Sequence, residues 1–329
     1  MKIKELCEEV FIGANYYAWD YYNISQNYSF KDIWGNPKLF VDHMFSVGGK
    51  YSFWDKVELS EKRYKHMLVA FFLGHYISKK CYVFNNFCND VDFSWEWFLC
   101  CLYHDAFADK ERKMRGRSRN NDYTTYVRNY LKNSDEALFN IDIINKYDNY
   151  RYKFFDKTRD HGIYAADKLA KKYYALLKSN GGHGYLPNGL RINNDLKNKV
   201  YKISQVIACH NIYICLNKED ENKYIKCGLQ DLVITQNNSC KMPKGKTHYG
   251  LLHFLLCLCD TIEPTKREVD LERFDIEINA TKIEVKLLSN SPQGYIYSKA
   301  QFELNSWLNF IDVSIKKDEE KYNIEYKIK

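Results

Sequence analysis

Residues 99–110 read LCCLYHDAFADK, with His104 and Asp105 side by side at the centre. Five apolar or aromatic residues lead into the pair, so a buried helix is expected to end there. An imidazole and a carboxylate are costly to bury unless something satisfies them. A metal ion would do so, because both groups are good ligands for Zn, Fe or Mn. One pair does not make a site, so the reading turns on whether the rest of the chain supplies partners.

The chain has 329 residues, enough for one large domain or a main domain with an appendage. A 45% hydrophobic share and a 16% aromatic share supply a real core and exclude a disordered protein. Only 5 prolines interrupt long segments, which favours helix. A net charge of +7 is mild for this length. It does not imply duplex nucleic acid, but it suits anionic ligands such as nucleotides. The 11 cysteines lack paired CxxC spacing, and Cys100-Cys101 and Cys257-x-Cys259 sit in apolar runs. Reduced core thiols are expected. The opening MKIKELCEEVF places glutamates where a signal peptide carries an apolar run, and no stretch approaches the ~18 apolar residues of a membrane span. These features predict a soluble, cytoplasmic protein.

Outward from the pair, ELSEKRYKHMLVAFFLGHYISKK (58–80) predicts a helix with Ser60 at its N-cap. Arg63 and His66 stand three apart and share a side, whereas His75 faces the opposite way. The segment 92–113 predicts a helix ending near His104-Asp105. After it, ERKMRGRSRNNDY is dense in basic residues. It is either a solvated loop or a phosphate-facing one using Arg112, Arg115, Arg117 or Arg119. Asp109, a turn after Asp105, either orients a ligand histidine or is a solvated helix-end carboxylate. Helices are also expected over 123–150, 159–182, 194–216 and 248–270. His161 stands in the first turn of the second of these, with Ala165 and Ala166 allowing a neighbouring helix close. His210 ends the third. Asp260 follows the apolar run LLHFLLCLC on the last, where Glu263 and Arg267 are expected to pair on the exterior. His253 either lines the pocket or packs in the core. His43, His183 and His248 fall in loop-like contexts.

Residues 1–57 form an aromatic-rich N-terminal extension broken at Gly35-Asn36-Pro37 and Gly48-Gly49. Helices packing over the core explain it, and base stacking is the sharper alternative. Residues 271–329 change texture: FDIEINA and KIEVKLL alternate with period two, KAQFELNSWLNF is helix-like, and a charged hairpin follows. The expected organisation is mainly α, with an α+β, ββαββ-like C-terminal appendage after the main domain at 58–270.

The metal-type residues His66, His104-Asp105, His161, His210 and Asp260 each sit on a separate expected helix. In that order they resemble the HD-domain metal-dependent phosphohydrolases, whose pattern is H…HD…H…H…D on a helical core. RYKHMLVAFFLG (63–74) is similar to the family's first-histidine helix, HGIYAADKLAKK (161–172) to its third-histidine helix, and ACHN (208–211) to the helix end carrying the fourth. LCLCDTIEPTKR (256–267) is similar to the A-D-x-(I/L)-E-P-x-R ending of the subgroup that includes the HD-type diadenosine tetraphosphate hydrolases. The likeness covers roughly residues 60–268. The family's frequent HD-x-x-K lysine falls at Ala108, with Lys110 two positions on. Asn211 stands where that subgroup carries Thr, and the segment between His210 and Asp260 is long.

The resemblance implies an enzyme that hydrolyses a nucleotide or nucleotide-derived phosphoester. Six ligands are too many for one tetrahedral site but suit two divalent ions ~3.5–4 Å apart. Asp105 would bridge them, with His66, His104 and Asp260 on one and His161 and His210 on the other. Histidine-rich ligation favours Fe, Mn, Ni, Co or Zn over Mg. Arg63, Lys110 and the basic loop are the candidates for holding phosphate. Two other readings are an HD nuclease acting on single-stranded DNA or RNA, and a non-catalytic nucleotide sensor.

Overall fold

The structure, a computed structural model, describes residues 1–20, 22–46, 59–87, 91–109, 141–158, 160–179, 194–212, 218–232, 248–265, 274–288, 311–318 and 321–328. The fold is mainly helical with a small C-terminal sheet. In chain order the helices are α1 (Ile3–Ile12), α2 (Ala14–Tyr17), α3 (Ile24–Asn27), α4 (Phe30–Gly35), α5 (Pro37–Ser46), α6 (Glu61–Lys80), α7 (Val91–His104), α8 (Ile141–Phe154), α9 (His161–Ser179), α10 (Asn194–Cys209), α11 (Lys218–Lys226) and α12 (His248–Ile262). The strands are β1 (Phe274–Ile278), β2 (Lys282–Leu288), β3 (Ile311–Asp318) and β4 (Lys321–Ile328). The chain divides into two compact units, one of 1–41, 60–98 and 254–329 and the other of 42–59 and 99–253. Among the described residues no helix is long and apolar enough to cross a membrane.

In the first unit α1 packs on α6 and on β1. Helix α6 starts after Ser60, which holds the N-cap position without a side-chain cap bond. It is buried from His66 to Ser78 on every side, not only on the one broad face the sequence suggested. A helix apolar all round belongs inside a core, and the N-terminal helices help enclose it. Trp19 is fully buried with its ring 5.3 Å from that of Phe72, and its indole N–H donates to the Val10 carbonyl at 2.9 Å. Tyr17, Tyr22 and Phe30 are buried as well. These aromatics are therefore core residues and are not presented to bases. The chain breaks at Gly35-Asn36-Pro37 as expected: α4 ends at Gly35 and Pro37 opens α5. The missing proline N–H is an orphan at that position anyway.

At Gly74 a neighbouring ring comes close to the α6 backbone. A Cβ there would lie 2.0 Å from the Trp97 ring, and that indole donates to the Phe71 carbonyl at 2.9 Å. The sheet is antiparallel throughout, in the order β1-β2-β4-β3. Phe274, Ile276 and Ile278 point inward on β1, as the period-two pattern requires. Met1 and Lys2 tie the chain start to β1: the Met1 carbonyl accepts from the Ile276 N–H at 2.9 Å, and Lys2 pairs with Asp275 at 3.4 Å. The helix-like segment KAQFELNSWLNF lies outside the described residues.

In the second unit α9 packs against α10, and α11 packs against α8. The α9 face carries Ala165, Ala166, Leu169, Ala170 and Tyr173, all buried. On α10, Val200, Ile203, Val206 and Ile207 are each at 0% exposure. Full burial of such a side chain contributes about 1.5–3 kcal/mol, so this pair of helices is a firm support for anything at its ends.

Candidate metal centre

Helix α7 ends at His104 and the chain turns immediately, so Asp105 lies just past the helix. Both residues are fully buried. The His104 Nδ1 lies 2.6 Å from the carbonyl of Cys101, and the His210 Nδ1 lies 2.6 Å from that of Ile207. A carbonyl only accepts, so each Nδ1 carries the proton. Each imidazole thus bonds back to a carbonyl three residues earlier, in the last turn of its helix. In the neutral ring this leaves the lone pair on Nε2, the tautomer that ligates a metal through Nε2.

Those lone pairs converge. His161 Nε2 lies 3.0 Å from Asp105 Oδ1, and His104 Nε2 lies 3.8 Å from Asp105 Oδ2. The carboxylate thus turns one oxygen towards each of two histidines. The His210 ring stands 5.1 Å from that of His104 and 5.3 Å from that of His161. One ligand atom from each of Asp105, His161 and His210 falls within 4.8 Å of the others. Metal–ligand bonds of roughly 2.0–2.2 Å place donors around one ion at most about 4.4 Å apart. A small side-chain adjustment therefore brings these three into range.

Gly162 makes the convergence possible. A Cβ there would lie 2.5 Å from His210 Cε1 and 2.8 Å from the Ile207 carbonyl oxygen. The alanines picked out by sequence are buried in the same face, but the closest approach falls at the glycine beside His161. Chemically, a buried carboxylate ringed by imidazoles demands positive charge, from a proton or from a cation. Two imidazoles and a carboxylate are a donor set that suits a borderline transition ion.

The first unit holds a second group. His66 and Asp260 meet at 3.2 Å between Nε2 and Oδ1, both buried. The other ring nitrogen of His66, Nδ1, bonds to the Glu263 carboxylate. This corrects the expected Glu263–Arg267 surface pair. Pro264 follows the end of α12, Glu263 is fully buried, and its other oxygen accepts the Thr265 N–H. Arg267 lies outside the described residues. A carboxylate–imidazole pair of this kind fixes the tautomer and raises the basicity of the free nitrogen. Sequence reasoning missed Glu263 because a four-residue spacing suggested a helix that in fact stops at Ile262.

The other expectations fall as follows. Arg63 is half-buried on α6, whereas Lys110, Arg112, Arg115, Arg117 and Arg119 lie outside the described residues. Asp109 is exposed. His75 is buried against Phe71 and Phe93, and burial pushes its pKa down to about 3. His253 is fully buried, with its pKa likewise lowered by burial to about 4. His43 lies in α5, half-buried, where a loop was expected, and His248 opens α12 with its ring 5.0 Å from that of Tyr249. His183 lies outside the described residues. The described cysteines are all free thiols, as expected. No family model, no curated protein and no solved structure matches this chain.

Proposed function

We propose that this chain is a metal-dependent phosphohydrolase acting on a nucleotide or a nucleotide-derived phosphoester. The observation that carries the reading is the convergence of buried Asp105, His161 and His210 in one compact unit, ligand atoms within 4.8 Å. The H…HD…H…H…D order of the sequence supports it independently. The same order names His66 and Asp260, which meet at 3.2 Å in the other unit, as further metal-type residues.

A bound divalent ion supplies Lewis acidity, both to activate water and to take up charge on phosphoryl oxygens. The residues do the rest. Cys101 and Ile207 carbonyls hold His104 and His210 with Nε2 towards Asp105. In the other unit, Glu263 holds His66 through Nδ1 and leaves its Nε2 towards Asp260. Asp105 offers an oxygen to each side, and no serine or cysteine nucleophile is called for. Arg63 and the basic residues Lys110, Arg112, Arg115, Arg117 and Arg119 are assigned to holding phosphate, which guanidinium groups contact bidentately.

The test is metal content together with a substrate screen. Purified full-length protein is assayed for Fe, Mn, Ni, Co and Zn, then offered nucleotides, dinucleoside polyphosphates, cyclic nucleotides and short oligonucleotides with each metal and with Mg. The proposal expects stoichiometric transition metal and turnover that Asp105→Ala abolishes. Protein without such metal, and indifferent to Asp105→Ala, refutes it. Cleavage confined to oligonucleotides would move the assignment to a nuclease.

A further inference from the structure

Helices α9 and α10 carry His161 and His210, and their ends are joined by a small buried network. Asp160 immediately precedes α9, and its side chain is fully buried. Its Oδ1 accepts the Ile163 N–H at 3.1 Å, which caps the helix. Its Oδ2 accepts from Asn211 Nδ2 at 3.2 Å and faces Arg151 Nε at 3.9 Å. Asn211 directly follows His210, and the same Nδ2 stands 3.3 Å from His161 Nε2. From α8, the Tyr147 hydroxyl donates to the Asn211 backbone carbonyl.

We infer that Asp160 and Asn211 form a clasp that sets the spacing between His161 and His210. The carboxylate binds the start of one ligand-bearing helix to the residue that follows the other ligand. Its two oxygens divide the work. Oδ1 caps α9, a structural task, and Oδ2 holds Asn211, a positioning task. A residue that fixes a ligand's orientation from behind characteristically changes metal affinity about 10–100-fold when removed. Arg151 offsets the buried charge of Asp160, which would otherwise be costly to desolvate. The consequence for metal binding rests on the proposed metal site; the link between the two imidazoles does not.

Asp160→Asn separates the two tasks. An asparagine caps a helix as well as an aspartate does, but it turns an amide N–H towards Asn211 where an acceptor stood. Asn211→Ala removes the other half without touching the cap. Both variants are made in the full chain, and Co(II) binding is measured by titration calorimetry and by visible absorption. Histidine side-chain nitrogen NMR is recorded on the metal-free proteins.

The clasp predicts that both variants lose about 10–100-fold in Co(II) affinity with an altered Co(II) spectrum. Asp160→Asn keeps the helical content of the parent by circular dichroism, because the cap survives. In metal-free protein the imidazole signals of both His161 and His210 move in each variant. Unmoved imidazole signals in both variants overturn the clasp, as does unchanged Co(II) affinity in both. If the parent protein takes up no Co(II), the metal reading fails, and the imidazole signals alone then decide the clasp.

Discussion

His75 and His210 are both buried to within 1% of full exclusion from solvent, yet the two regions around them treat an imidazole in opposite ways. In α6 the His75 ring lies 4.8 Å from Phe71 and 5.9 Å from Phe93, and burial drives its pKa to about 3. It is a neutral packing element. Past the end of α10, the His210 ring has Nδ1 tied to a backbone carbonyl and two further imidazoles within 5.1–5.3 Å, with buried Asp105 among them. Burial is common to both, so burial does not mark a ligand. The helix-end back-bond and the shared carboxylate do.

The largest expected effect on this contrast comes from Asp105→Ala. Metal analysis should find the bound ion lost, by more than the roughly 10–100-fold typical of groups that only orient ligands. His75→Leu should leave metal content unchanged. Next is Gly162→Ala, whose methyl would lie 2.5 Å from His210. Overpacking of this kind costs about 1–3 kcal/mol. Chemical denaturation should show that loss, and calorimetry a parallel fall in metal affinity. Gly74→Ala sharpens the comparison, because its methyl would meet Trp97 at 2.0 Å. Denaturation should register a similar cost, but metal affinity should stay at the parent value.

The last effect concerns pH and leaves metal binding untouched. The folded pKa of His75, about 3, lies below its ordinary 6.5. The unfolded chain therefore binds more protons between those values, and stability rises with pH across that window. Its contribution is complete above about pH 6.5 and is lost as pH falls towards 3, at up to about 1.4 kcal/mol per pH unit. His75→Leu should flatten the acid limb of a stability–pH curve by that share, and a curve of unchanged slope would remove this account of the residue.

Much of the helical pattern was legible because apolar runs and caps announce themselves. Helices α6, α9, α10 and α12 begin within a few residues of where Ser60, His161, Asn194 and His248 suggested. Period-two alternation likewise located β1, β2 and the β3–β4 hairpin. The strand order β1-β2-β4-β3 was not legible, since alternation carries no pairing information. Among site residues, Asp105, His161 and His210 were named from type and position. The devices that aim them were not. Nothing in a one-dimensional pattern says that His104 and His210 each bond back three residues, that Gly162 and not Ala165 meets His210, or that Pro264 leaves Glu263 buried on His66. Those facts depend on where a helix stops and which face its neighbour presents.

The most direct test of the central claim is anomalous diffraction from crystals of the full chain grown with Co(II) or Mn(II), recorded on both sides of the metal's absorption edge. The account predicts an edge-dependent peak within bonding distance of Asp105, His161 and His210. A peak confined to other residues, or no peak in metal-saturated crystals, would contradict it.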